Sequence, residues 1–210
     1  MKKLFCLIAI LIFLQVDLKG ASRDSVRARN SMVATVHELA TRSAVEALKR
    51  GNAVDAAVTA LFTLAVVWPE AGNLGGGTFF LIRMADGRTE FIDAREVAPK
   101  AATRDMYLTA KADASTVGHL AIAVPGAVAG MSMALERFGS LKWNEVIEPA
   151  RQLASNGFPL TYKTAIRMAN SGDSIKLFPE ASRIFLRNGE FPKENDVLTQ
   201  SDLAATLKRL

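Results

Sequence analysis

The sequence predicts a mixed α/β fold, on three observations. Apolar residues recur at helical spacing over residues 37–50 and then fill nearly every position of Ala53–Val67. A run of β-formers over residues 78–85 meets Asp86-Gly87, and a second such run follows over residues 88–93. An Ala/Met/Leu-rich stretch, Ala127–Phe138, then returns to helical composition and closes at Gly139.

Each element carries its own signals. In the first helix Leu39, Ala40, Ala44, Ala47 and Leu48 share one face, and Gly51 is a natural C-terminal stop. Asn52 stands where the next N-cap belongs, with Asp55 three residues on to favour the first turn. Because Ala53–Val67 is apolar almost all round, that helix must be buried on most sides. Trp68-Pro69 ends it, since proline disfavours helical geometry in the residue before it. The glycine-rich residues 72–77 lead into the predicted strand, turn and strand, which places Arg95 at or just past the end of the second strand.

After Pro99 the pattern weakens to a short helix near residues 104–108 and a loop through residues 113–116. Val124-Pro125-Gly126 turns the chain into the Ala127 helix, and another helix runs from Asn144 to about Ser155, ending at Asn156-Gly157. Short helical pieces are predicted over residues 161–170 and 180–186, with a turn at Asn188-Gly189. A last amphipathic segment, residues 202–210, opens at Ser201-Asp202. With no polar tail after it, the expectation is of a chain cut short.

Composition narrows the function classes. The 210 residues are 50% hydrophobic and 22% charged, the balance of a globular chain long enough to bury a core. Lys2 and Lys3 precede an unbroken apolar run, residues 4–14, which reads as the n-region and h-region of a signal peptide over residues 1–21. Those eleven apolar residues are too few for a membrane-spanning helix, which takes about 20. An uncleaved N-terminal anchor is the alternative. The expected product is exported, to the periplasm or beyond, with residues 22–35 as a leader into the fold and 36–210 as its body.

Cys6, the only cysteine, lies inside this apolar run of the predicted signal peptide, so the mature chain is expected to have neither a disulfide nor a thiol nucleophile. Removing residues 1–20 takes away three lysines and one aspartate and leaves a net charge of +3 in place of +5. Arg23, Arg27 and Arg29 form the one close basic cluster and read as solvated leader; no nucleic-acid partner is expected.

The common catalytic patterns are absent. His37 and His119 have no Cys/His/Asp cluster at metal-ligand spacing, so both read as surface or structural histidines and no metal is expected. The glycines of NLGGGTFFL lack GxGxxG or Gly-Lys-Ser/Thr spacing and lead into a strand, which disfavours a nucleotide site. Gly75, Gly76 and Gly77 read as residues that permit a backbone shape or close packing that a Cβ would forbid. No GxSxG elbow or conspicuous carboxylate pair is present.

Read in order, GNAVDAA, NLGGGTFFL, DAREVAPKAAT-RDMYL, AVPGAVAGMSMALERFG and SDLAATLKRL resemble successive segments of the γ-glutamyltranspeptidase large subunit, from about Ser31 to Leu210. The resemblance implies an N-terminal-nucleophile hydrolase: a layered α/β/β/α fold, incomplete here, made as a precursor that cleaves itself to expose a threonine. That threonine attacks the γ-glutamyl amide, its own amine acting as base, and the acyl group passes to water or to an amino acid or peptide. The implied substrates are glutathione or other γ-glutamyl compounds. The implied partner is a small subunit bearing the threonine, with no metal or organic cofactor.

One substrate-contacting residue of the family maps onto this stretch: the arginine of DAREVAP, Arg95, implied to grip the α-carboxylate of the γ-glutamyl group. A guanidinium is a rigid fork of donors matched to a carboxylate. The plain alternative is an ion pair with Asp93 or Glu96. The family's nucleophile lies in a Thr-Thr-His-like motif downstream of the SDLAATL-like segment, and no such motif occurs here; Thr35, Thr41 and Thr78 do not match it. No catalytic residue is therefore assigned within this chain. The competing readings are a non-catalytic exported binding module or decaying gene product, and a related acylase or poly-γ-glutamate-processing enzyme.

Overall fold

The computed structural model describes residues 25–71 and 74–210. The predicted signal peptide, Cys6, Arg23 and Gly72 lie outside the described residues. The chain divides into two units, Met1–Met32 and Val33–Leu210. Of the first, residues 25–32 carry no helix or strand.

The second unit begins with α1 (Glu38–Arg50) and α2 (Ala53–Val67), joined by only two residues and packed on each other. The α1 N-cap is His37, whose Nδ1 accepts from Leu39 N at 3.2 Å. Its ring is buried edge-on to Phe158, so it is a structural histidine whose titration is pushed down by burial, with Glu38 pulling the other way. Helix α2 is the hub. Val54, Val58, Phe62 and Val66 are among its fully or nearly buried side chains, and α1, α3 (Ala127–Phe138) and α4 (Trp143–Asn156) pack around it.

The strands β1 (Thr78–Arg83) and β2 (Thr89–Ala94) form an antiparallel hairpin with Phe80 opposite Ile92 and Thr78 opposite Ala94. Phe80 and Ile92 face the core, whereas Phe79, Leu81 and Phe91 on the other face are more than half exposed, with the two phenylalanine rings stacked. The connection differs from the expected two-residue turn. Met84 N donates to Arg88 O at 2.8 Å and Gly87 N to Met84 O at 3.0 Å, enclosing a three-residue loop, residues 85–87. A two-residue I′ turn needs positive φ at both Asp86 and Gly87, but only Gly87 adopts it, at +90°. Asp86 instead accepts from Arg88 N and Nε, which holds a type I turn followed by a left-handed glycine.

Beyond the hairpin, the predicted helix at residues 104–108 is a series of turns. Met106, Leu108 and Ala110 donate to the carbonyls three residues back, and no apolar stripe offsets the cost of nucleating a helix there. His119–Ala121 is a single 3₁₀ turn with His119 exposed. Helix α4 ends at Gly157, φ +81°, and passes into β3 (Phe158–Pro159). Then come α5 (Tyr162–Asn170), α6 (Gly172–Lys176), α7 (Pro179–Phe185), β4 (Val197–Leu198) and α8 (Ser201–Arg209). The Asn188-Gly189 turn has positive φ at both residues and closes on mutual Arg187–Glu190 hydrogen bonds. The pairing of β3 with β4 was not foreseen, because two-residue strands are too short to show alternation.

The α2 N-terminus holds a fully buried carboxylate. Asp55 accepts from Asn52 N (2.7 Å), Ser140 N (2.9 Å), Ser140 Oγ (2.7 Å) and Leu141 N (3.0 Å). Asn52 completes the capping box and donates its Nδ2 to Phe138 O at 2.9 Å. Burial works to raise the Asp55 titration, but the donors from Leu141, Ser140 and Asn52 outweigh it and hold the group below the usual carboxylate value. Asp55→Ala is expected to lower the unfolding free energy by about 3 kcal/mol, because several buried donors lose their acceptor. Since the folded value is depressed, Asp55 stabilises above the unfolded carboxylate value and loses this as pH falls through the lower folded one. Denaturant melts of both forms across that acid range check this: their difference should shrink toward low pH.

Candidate active site

Arg95 follows the last residue of β2, so the hairpin sets its backbone position. Its N–H donates to Asp93 Oδ1 at 3.0 Å, and its Nε donates to Glu96 Oε2 at 2.8 Å. The guanidinium lies over the Phe79 ring, 5.7 Å from the centroid. The ion pair weighed from sequence is thus present with Glu96, while Asp93 serves the backbone. Glu96 titrates below the ordinary glutamate range because its own backbone N–H, and then Arg95, donates to the carboxylate. Only Nε of Arg95 is used in this way: Nη1 and Nη2 form no hydrogen bond with a described residue.

Glycines let other segments reach this strand end. A Cβ on Gly77 would lie 2.6 Å from Glu96 Oε2 and 2.8 Å from Arg95 Cα. Gly76 O accepts from Gly126 N at 3.1 Å and Ala127 N at 3.0 Å, which ties the glycine segment to the start of α3. Gly126 itself passes so near the carbonyls of Ala94 and Arg95 that a Cβ would come within 2.4 and 2.6 Å of them. One turn on, Gly130 admits the Ala94 methyl, which a Cβ there would meet at 2.3 Å. Gly75 lines the cleft beside Arg95. The packing reading of Gly77 therefore extends to Gly126 and Gly130, whose four-residue spacing in PGAVAG was the available signal.

Past Arg95 the chain leaves through Val97 and returns through Val124, the two pinned by reciprocal backbone bonds of 3.1 and 2.9 Å. The loop between them, residues 98–123, borders an open cleft of about 700 Å³ that also takes in Gly75, Arg95 and Glu96. Tyr107 Oη donates across the loop to Leu120 O at 2.9 Å. Thr35 and Thr41 are bonded to each other at 2.8 Å near the start of α1, and Thr78 is a ladder residue opposite Ala94. Among the described residues, no three His, Cys, Asp or Glu side chains gather as a metal site would require.

The γ-glutamyltranspeptidase family model matches residues 40–210. The chain is 44% identical over 191 residues to the glutathione hydrolase proenzyme of Escherichia coli (strain K12), covering 88% of this chain and 33% of that protein. It is 43% identical over 204 residues to the proenzyme of Pseudomonas aeruginosa, covering 94% and 36%. Among solved structures, the Helicobacter pylori γ-glutamyltranspeptidase superposes with a TM-score of 0.85 at 35% identity, over 88% of this chain and 55% of that one. The Pseudomonas nitroreducens enzyme complexed with L-DON gives 0.77 at 42%, over 87% and 55%. The chain thus spans about a third of the curated relatives' length. With a match over residues 40–210 and a superposable arrangement of helices around the hairpin, this chain belongs to the γ-glutamyltranspeptidase family and has the fold of the corresponding part of its N-terminal-nucleophile hydrolase structures.

Proposed function

We propose that this chain is large-subunit sequence of an exported γ-glutamyltransferase and glutathione hydrolase, in which Arg95 binds the α-carboxylate of the γ-glutamyl group. The observation that carries the reading is the state of Arg95. Glu96 engages Nε and orients the planar guanidinium, so its two terminal nitrogens remain as a parallel pair of donors for a carboxylate in the cleft. The ion pair and the substrate contact use different nitrogens, so they are compatible.

Catalysis in this reading needs a threonine from outside these 210 residues. Its hydroxyl adds to the γ-carbonyl and its α-amine takes the hydroxyl proton and returns it to the leaving amine. The γ-glutamyl ester then passes to water or to an amino acid or peptide. Arg95 anchors one end of the substrate throughout and so fixes where the γ-carbonyl lies. Export rests on the Lys2-Lys3 and apolar 4–14 pattern. N-terminal sequencing of the protein from the cell envelope tests it, and recovery with Met1 intact would overturn cleavage.

In an enzyme assembled from this chain and a threonine-bearing segment, Arg95→Lys is expected to raise the Michaelis constant for γ-glutamyl substrates about tenfold, with the melting temperature nearly unchanged. An unchanged constant would sink the assignment. Gly77→Ala should cost about 1–3 kcal/mol of stability and weaken substrate binding as well, because the new methyl displaces Glu96 and the Arg95 backbone together. Thermal melts and steady-state kinetics on the same preparation separate the two effects. The 210-residue chain alone should release no amine from a γ-glutamyl anilide, and release above background would overturn the placement of the nucleophile.

A further inference from the structure

Asparagine is a chemically labile residue, and most so before glycine, which leaves the next backbone nitrogen unshielded and the backbone free to turn. The chain carries two such pairs, Asn156-Gly157 and Asn188-Gly189. Loss of the side-chain amide requires the glycine nitrogen to reach the asparagine side-chain carbon. What that nitrogen is already bonded to therefore decides which pair reacts.

The two pairs are folded differently. Asn156 is the last residue of α4, and Gly157 N donates to Leu153 O at 3.0 Å. Gly157 is also packed closely on β4 and the residue after it: a Cβ there would lie 2.6 Å from Val197 Cγ1 and 2.7 Å from Thr199 Oγ1. Asn188 and Gly189 are instead the central residues of a turn whose ends bond each other, Arg187 N to Glu190 O at 2.8 Å and Glu190 N to Arg187 O at 2.9 Å. Gly189 N donates to no described residue, and nothing described lies within 4 Å of where a Cβ would stand. The turn closes on an isolated bridge, and α7 before it has no buried residue, so little opposes its local opening. After Asn144, Asn170 and Asn195 the next nitrogen is committed as well: Glu145 N, Ser171 N and Asp196 N donate to Lys142 O, Arg167 O and Lys193 O.

We propose that Asn188 is a site of spontaneous deamidation, and that the fold protects Asn156 from the same reaction. Gly189 N bonds to Asn188 Cγ, its proton passing through solvent to the leaving nitrogen. The Cγ–Nδ2 bond breaks, ammonia departs and a succinimide remains. Water opens that ring at one carbonyl or the other, which leaves an aspartate or an isoaspartate at position 188 and one added negative charge. Aspartate keeps the turn, because like asparagine it tolerates the φ of +51° found at Asn188. Isoaspartate puts an extra methylene into the main chain. The mutual bonds of Arg187 and Glu190 then lose register, and with them the placement of Arg187 Nη2 on Val197 O.

The test is peptide mapping by mass spectrometry of the full chain, held at mildly alkaline pH and sampled over time, to follow the exchange of NH2 for OH at each asparagine. In the folded chain Asn188 is expected to convert at least about tenfold faster than Asn156, whose glycine must first give up a hydrogen bond and its packing. In denaturant both nitrogens are free, and the two rates should converge. Isoaspartate should accumulate beside aspartate at position 188, and the rate should rise with pH because the attacking nitrogen must lose its proton. Asn188→Gln should remove the fast conversion and leave that at Asn156 unchanged. Equal rates at the two sites in the folded chain, or no conversion at Asn188 over a period in which the unfolded chain converts, would overturn the proposal. Aspartate without isoaspartate would also overturn it, since direct hydrolysis of the amide forms no succinimide.

Discussion

The buried carboxylate of Asp55 is the constraint on which the rest of the structure depends. Among the described residues it has no cationic partner; its charge is held by backbone N–H groups of Asn52, Ser140 and Leu141 and by the Ser140 hydroxyl. Gly51 and Gly139 leave the space it occupies, since a Cβ on either would fall within 2.8 Å of its oxygens. One side chain therefore caps the start of α2 and ties it to the α3–α4 connection. A buried anion surrounded by fixed donors is strongly geometry-dependent, so it specifies the angles between these helices as well as stabilising them.

From that junction the position of Arg95 follows. Helix α3 starts at the Gly76 carbonyl and crosses the hairpin end through Gly130, where absence of a side chain brings it onto Ala94. A two-stranded hairpin has little stability of its own, so the strand end that carries Arg95 is rigid only because α3 lies on it. At the far end of α2, Gln200 Nε2 donates to Val66 O at 2.8 Å and fixes the start of α8 against the same hub. Both ends of the most buried helix are thus held by polar contacts to later segments, and the site rests on one of those segments.

The hairpin is used unevenly. Its inner face is core, its outer face is apolar and open, and Arg95 stands at the boundary with its guanidinium against Phe79. That position gives the cation an aromatic support on one side and Glu96 on another, which restricts its orientation without neutralising the terminal nitrogens. A lysine has no planar fork to be restricted in this way, which is why the residue type matters more than the charge.

Much of this was legible in the sequence, for local reasons. The α2 boundaries follow from Asn52, Asp55 and Trp68-Pro69; α3 is bounded by Gly126 and Gly139; Asn188-Gly189 specifies its own turn. These are effects of nearest neighbours on φ, ψ and caps, and the order of motifs carried the family. What only the tertiary structure decided involves residues far apart in the chain. Nothing near Asp55 shows that Ser140 and Leu141 will complete its shell, nothing in DAREVAP shows which nitrogen Glu96 takes, and nothing in PGAVAG names Ala94 as the contact. Backbone donors and missing Cβ atoms leave no side-chain pattern to read, so only packing can say what they serve.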